Sequence, residues 1–131
     1  MVAGEFIDCY KDQKGKEFWA WNYFLEEWNV LATCFFIDTA NNIIQYIKCI
    51  YKILKPGGLW VNCGPLLYHY TDVYNECSIE LSWEEVEHII KEVGFKFKEI
   101  REIKTTYAGR GKALMETVYN CVYFVAVKPL K

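Results

Sequence analysis

Histidine is scarce in this sequence, two residues in 131, and its six cysteines include no Cys-x-x-Cys pair. That leaves little from which to assemble a metal site, and none is expected. Cys9, Cys34, Cys49, Cys63, Cys77 and Cys121 are scattered, with Cys34, Cys63 and Cys121 inside apolar runs. They read as free buried thiols in a reducing compartment, not as disulfides. Basic charge is not in excess either: 15 Lys and Arg stand against 17 Asp and Glu, a formal net charge of -2. Nucleic acid is therefore not the expected partner, since nothing neutralises a run of phosphates. The longest apolar runs are about strand length, too short to span a bilayer. No basic-then-apolar leader opens the sequence, so the expected address is the cytoplasm, with the nucleus second.

What is present is apolar surface. Hydrophobic residues make up 53% and aromatics 18%, which places the chain among folded globular domains. Its length suits a single domain, residues 1–131, with a real core.

The organising stretch is Asn29 to Cys63. Val30 to Ile37 is apolar without alternation, as a strand buried on both faces would be, and Asp38 ends it. Thr39-Ala40-Asn41-Asn42 offers helix-start chemistry. Ile43, Ile47, Ile50 and Leu54, flanked by Ile44 and Tyr51, recur at helical spacing, which predicts a helix over 40–54. Lys55-Pro56-Gly57-Gly58 stops the helix and turns the chain, and Leu59 to Cys63 begins a second strand. Strand, helix and strand make a right-handed βαβ unit with parallel strands. Ligands of such sheets sit beyond the carboxyl ends of the strands, here Asp38 and the segment Gly64 to Tyr70.

Around this unit the signals are simpler. Lys11 to Lys16 is turn-like, and the aromatics Phe18, Trp19, Trp21, Tyr23, Phe24 and Trp28 read as a small aromatic core in a short helix or irregular cover. Thr71 to Leu81 is a polar loop. Ser82-Trp83-Glu84-Glu85 is a capping box, Val86, Ile89, Ile90 and Val93 are a buried stripe, and Gly94 is a stop, which predicts a helix over 83–93. His88 falls on its polar face or boundary. Alternation predicts a half-exposed strand over 95–103. Gly109, Arg110, Gly111 and Lys112 fit no phosphate-loop spacing. An apolar final strand is predicted over 116–127.

The residues also carry a family resemblance. Ile53 to Trp60 contains an LKPGG turn of the kind that precedes the fifth strand in methyltransferases using S-adenosylmethionine. Cys34 to Ala40 (CFFIDTA), Gly64 to His69 (GPLLYH) and Ser78 to Ser82 (SIELS), in that order and spacing, resemble the carnosine N-methyltransferase family, as does nearly the whole chain. The resemblance implies an α/β fold, the C-terminal half of a Rossmann-like class I methyltransferase sheet, mostly parallel with an antiparallel last strand. That strand is expected between the second and third strands seen here. No GxGxG follows a strand in these residues, so the cofactor-binding half is expected to lie outside them.

The family transfers a methyl group from S-adenosylmethionine to an imidazole nitrogen of carnosine. By resemblance, Asp38 and His69 are the catalytic and substrate-binding polar contacts, Phe35 and Tyr119 line the substrate pocket, and Glu5 and Phe6 contact the cofactor. The family pattern places Asp where Glu5 stands, and a second pocket tyrosine where Thr117 stands. Plainer alternatives are a helix N-cap for Asp38, a loop histidine for His69 and a core position for Tyr119. The expected partner is a small histidine-containing dipeptide. The isolated chain is expected to be inactive, to bind S-adenosylmethionine weakly, and to self-associate through an exposed strand edge. Two other functions stay open: a methyltransferase for another small or protein-borne histidine, and a methyltransferase-like interaction module without activity.

Overall fold

The computed structural model describes residues 6–7, 26–108 and 114–130. Glu5, Cys9, most of the 18–28 aromatic stretch, and Arg110 and Lys112 lie outside the described residues.

The described elements run β1 (Trp28–Cys34), α1 (Ile43–Ile53), β2 (Leu54–Gly64), α2 (Trp83–Val93), β3 (Lys96–Thr106) and β4 (Val118–Val127). Four strands form one sheet in the order β1-β2-β4-β3. β1 and β2 are parallel, while β4 is antiparallel to both β2 and β3, so the last strand inserts where the sequence places it.

Local chemistry sets the helix ends. The Asn42 side chain accepts from the amides of Ile44 and Gln45 at 3.0 and 3.3 Å and caps α1. In α2, Ser82 and Glu85 exchange side-chain and backbone bonds as a capping box, and Gly94 closes the helix at φ 115, where a Cβ would also meet the Tyr51 hydroxyl at 2.8 Å. Both helices pack on one face of the sheet. Ile43, Ile47 and Ile50 of α1 and Val86 and Ile90 of α2 meet Trp60, Phe124 and Ala126 there, all fully buried. A buried polar bridge locks β1 to β2 on that same face: Trp60 Nε1 donates to Thr33 Oγ1 (2.9 Å), which donates to Asn62 Oδ1 (2.8 Å). On the other face, Val30, Ala32, Cys34, Cys63 and Tyr123 are exposed or half-buried.

Two expectations need correction. β1 is not buried on both faces and does not reach residue 37. It lies at the sheet edge with Trp28 44% and Val30 53% exposed, ends at Cys34, and gives way to a left-handed Phe35 and a single 3-10 turn, Ile37–Thr39. The apolar run masked this, because both faces of the strand carry apolar residues. Lys55 to Gly58 does not turn the chain out of the sheet: it is a bulge inside β2, between the pairs Trp28↔Leu54 and Val30↔Leu59, held to β4 by the Gly57 amide on the Lys128 carbonyl at 2.7 Å. The thiols also differ from expectation. Cys34, Cys63, Cys77 and Cys121 are free thiols, and of the described cysteines only Cys49 and Cys121 are buried, with Cys63 half-buried and Cys34 and Cys77 exposed.

Candidate active site

The site is built where β1 and β2 end. Phe35 takes φ 48, a conformation that costs a bulky residue about 1–3 kcal/mol and clusters at functional sites. It is tolerated because the Phe35 amide bonds the Cys63 carbonyl at 2.8 Å and because Gly64 leaves room: a Cβ there would sit 3.0 Å from the Phe35 nitrogen. The kink separates two neighbouring rings. Phe36 stacks on Tyr46 (centroids 5.2 Å, 24°) in the core, while Phe35 points to the strand ends, edge-on to Tyr119 (5.4 Å) and Tyr107 (5.0 Å).

The 3-10 turn then buries Asp38 to 2% exposure. It is not a helix N-cap, a role that belongs to Asn42. Instead, it anchors the loop after β2: the Leu67 amide donates to Asp38 Oδ2 at 3.0 Å, and the His69 amide donates to the Asp38 carbonyl at 3.1 Å. Farther along, the Ile79 amide bonds the Asn41 carbonyl at 3.0 Å and Tyr68 donates to the Leu81 carbonyl at 2.7 Å, which ties the 65–81 segment to the start of α1. Tyr68 is itself pushed up from the usual phenol range, chiefly by burial.

Asp38 Oδ1 is buried and has no hydrogen-bond partner among the described residues. Burial raises the Asp38 carboxyl above its ordinary value, opposed by the Leu67 amide, its own amide and the charge of His69. The result is a desolvated carboxylate with one oxygen still able to accept and an exposed imidazole within electrostatic range, while Phe35 and Tyr119 meet each other at the ends of the same strands. Such a constellation suits a flat, hydrogen-bond-donating heterocycle.

Of the expected site residues, Phe35 and Tyr119 are in ring contact, and Asp38 and His69 come together around the 65–69 loop. Phe6 lies elsewhere, edge-on to Phe36 (5.3 Å) and Tyr46 (5.1 Å), so its ring is occupied by the core behind α1. Thr117 is exposed. Sequence reasoning missed Tyr107, which sits in what reads as a turn, and the Leu67 amide, which carries no side-chain signature.

The profile of the carnosine N-methyltransferase family matches residues 1–130. The chain belongs to that family. Among curated relatives, the carnosine N-methyltransferase of Rattus norvegicus is 42% identical over 98% of this chain, and that of Dictyostelium discoideum 48% over 74%. The chain spans only 30% and 20% of those two proteins. Among solved structures, an S-adenosylmethionine-dependent methyltransferase of Methanosarcina mazei superposes with a TM-score of 0.60 over 84% of this chain and 63% of its own, at 11% identity. At that identity the likeness shows the fold alone: the α/β sheet of class I methyltransferases, with its antiparallel last strand. Family membership thus rests on sequence, and the fold agrees with it. No helix among the described residues is long and apolar enough to cross a membrane.

Proposed function

We propose that this chain is the acceptor-binding part of an S-adenosylmethionine-dependent N-methyltransferase that acts on the imidazole of carnosine or a related histidine-containing acceptor. The observation that carries this reading is the buried Asp38 carboxylate with Oδ2 on the Leu67 amide and Oδ1 unpaired among the described residues. A neutral imidazole has one N–H and one lone pair. Asp38 Oδ1 accepting the N–H fixes the tautomer, enriches the ring in electron density and turns the other nitrogen outward as nucleophile. As that nitrogen is alkylated the ring becomes cationic, and the carboxylate then faces an imidazolium, a stronger attraction in a desolvated site. Phe35 and Tyr119 hold the ring plane, and His69 adds a polar contact at the rim. Keeping the acceptor in one orientation supplies much of the rate.

The methyl donor is another matter. S-adenosylmethionine would supply an electrophilic methyl on sulfur. Of the two expected contacts, Glu5 lies outside the described residues, and the Phe6 ring is packed against Phe36 and Tyr46. The isolated chain is expected to be inactive. The same reading gives the other edge of β1 to another strand, from a second copy or from a longer form of the protein, since among the described residues β1 is paired only by β2.

The test uses a longer form of the protein that carries this segment together with a cofactor-binding region. With labelled S-adenosylmethionine, it should methylate the carnosine imidazole, and Asp38→Asn should lower kcat/KM by about 100-fold or more. A longer protein that methylates no histidine-containing acceptor, or an Asp38→Asn variant at the wild-type rate, overturns the proposal.

A further inference from the structure

We infer that Cys34 and Cys63 form a reversible oxidation site in the floor of the acceptor end, closing to an intrachain disulfide in the presence of a hydroperoxide. The two residues sit at the ends of neighbouring parallel strands and are directly opposite in register. Neighbouring strands lie about 4.8 Å apart, inside the range of about 4.4–6.8 Å that bridged Cα atoms occupy. As register partners on parallel strands the two side chains leave the same face of the sheet, where Cys34 is exposed and Cys63 half-buried, so both sulfurs face the same space. Facing Cβ atoms in a regular ladder stand somewhat wider than a disulfide prefers. The movement required falls on Cys34, the last residue of an edge strand. A bridge closed under such strain is readily reduced, as a reversible one must be.

The two thiols are not equivalent. Cys34 is exposed and meets the oxidant, while Cys63 is half-buried. Burial, and then the neighbouring Cys34, push the Cys63 thiol up, so it stays protonated while Cys34 reacts. Cys34 sulfur attacks the peroxide oxygen, the O–O bond breaks, and the alcohol (or water) leaves, giving a sulfenic acid. Cys63 sulfur then displaces the sulfenic oxygen as water and the S–S bond forms. Two thiol protons and two electrons are consumed by one hydroperoxide. Cys121 feels both sulfurs electrostatically but is 1% exposed, out of reach of the oxidant.

The location gives the bond a consequence. Phe35 follows Cys34 directly in a left-handed conformation, and its amide is held by the Cys63 carbonyl. A bridge between the two residues fixes Phe35, and with it the ring contact to Tyr119. That effect on the acceptor rests on the function proposed above, whereas the cross-link itself does not.

The test separates the two. The reduced 131-residue protein is treated with a few equivalents of hydrogen peroxide, alkylated with N-ethylmaleimide, and mapped with chymotrypsin, which cuts between Cys63 and Cys77. The Cys34 and Cys63 peptides should leave the alkylated pool together and reappear joined, lighter by two hydrogens, with dithiothreitol restoring both. In Cys63→Ser, Cys34 should accumulate as a sulfenic acid trapped by dimedone, while Cys121→Ser should leave the bridge unchanged. The map of the unaltered protein decides the matter even if Cys63→Ser folds poorly. Continued alkylation of Cys34 after peroxide, or its pairing with another cysteine, overturns the inference.

Discussion

Lys128, at the end of the sheet where β2 begins, and Asp38, where β1 and β2 finish, are both buried ionisable side chains, and their surroundings differ in kind. Lys128 Nζ reaches the carbonyls of Leu54 (2.8 Å) and Tyr51 (2.9 Å) and Glu26 Oε1 (3.2 Å), with the Tyr51 ring 4.7 Å away. Its three protons are matched by three acceptors, two of them carbonyls at the C-terminus of α1 that the helix itself leaves unpaired. Asp38 has one oxygen on the Leu67 amide and, among the described residues, no hydrogen-bond partner for the other. A fully matched buried charge fastens structure. A half-matched one leaves part of its desolvation cost uncompensated. The sheet is therefore stitched at one end and left chemically open at the other.

Breaking the stitched end should have the larger effect on stability. Lys128→Met keeps the apolar stem but strands the carbonyls of Tyr51 and Leu54, and should destabilise the chain by roughly 2–4 kcal/mol. Thermal unfolding followed by circular dichroism measures it, and an unchanged Tm would mean that the two ends do not differ as argued.

Altering the open end should do the opposite, and less. Because the Asp38 carboxyl is raised in the fold by burial, the folded state binds the proton more tightly than the unfolded one. The stability contributed by Asp38 is then complete below its unfolded value of about 4 and is lost as pH rises through the folded value. Asp38→Asn keeps an acceptor for the Leu67 amide without the charge. Its Tm should match the wild type near pH 4 and exceed it slightly at pH 7. A variant less stable at pH 7 would make Asp38 a structural residue like Lys128.

This contrast was only partly legible in the sequence. α2 was, because Ser82, Glu85 and Gly94 are local signals whose partners lie within one turn, and the helix matches its expected span of Trp83–Val93. The position of β4 followed from the family likeness. The end of β1 was not legible: no local rule announces that Phe35 turns left-handed, since the conformation is imposed by Gly64 and the Cys63 carbonyl some thirty residues away. Asp38, His69, Phe35 and Tyr119 are candidates that the family resemblance offers, whereas the loop amide that holds Asp38 and the ring of Tyr107 become visible only in three dimensions. Lys128 carries no local signal, because its three acceptors come from residues 26, 51 and 54.

The central claim is that the unpaired oxygen of Asp38 receives an imidazole N–H, and the isolated chain suffices to test it. Carnosine titrated into ¹⁵N-labelled protein at pH 7.5 should shift the amide signals of Leu67 and His69, which bond Asp38, in a saturable way. Neutral anserine, in which one ring nitrogen carries the methyl and the other only a lone pair, offers Asp38 no N–H and should shift them far less, and Asp38→Asn should weaken the carnosine response. Equal responses to both dipeptides, or shifts that leave Leu67 and His69 untouched, would contradict the account.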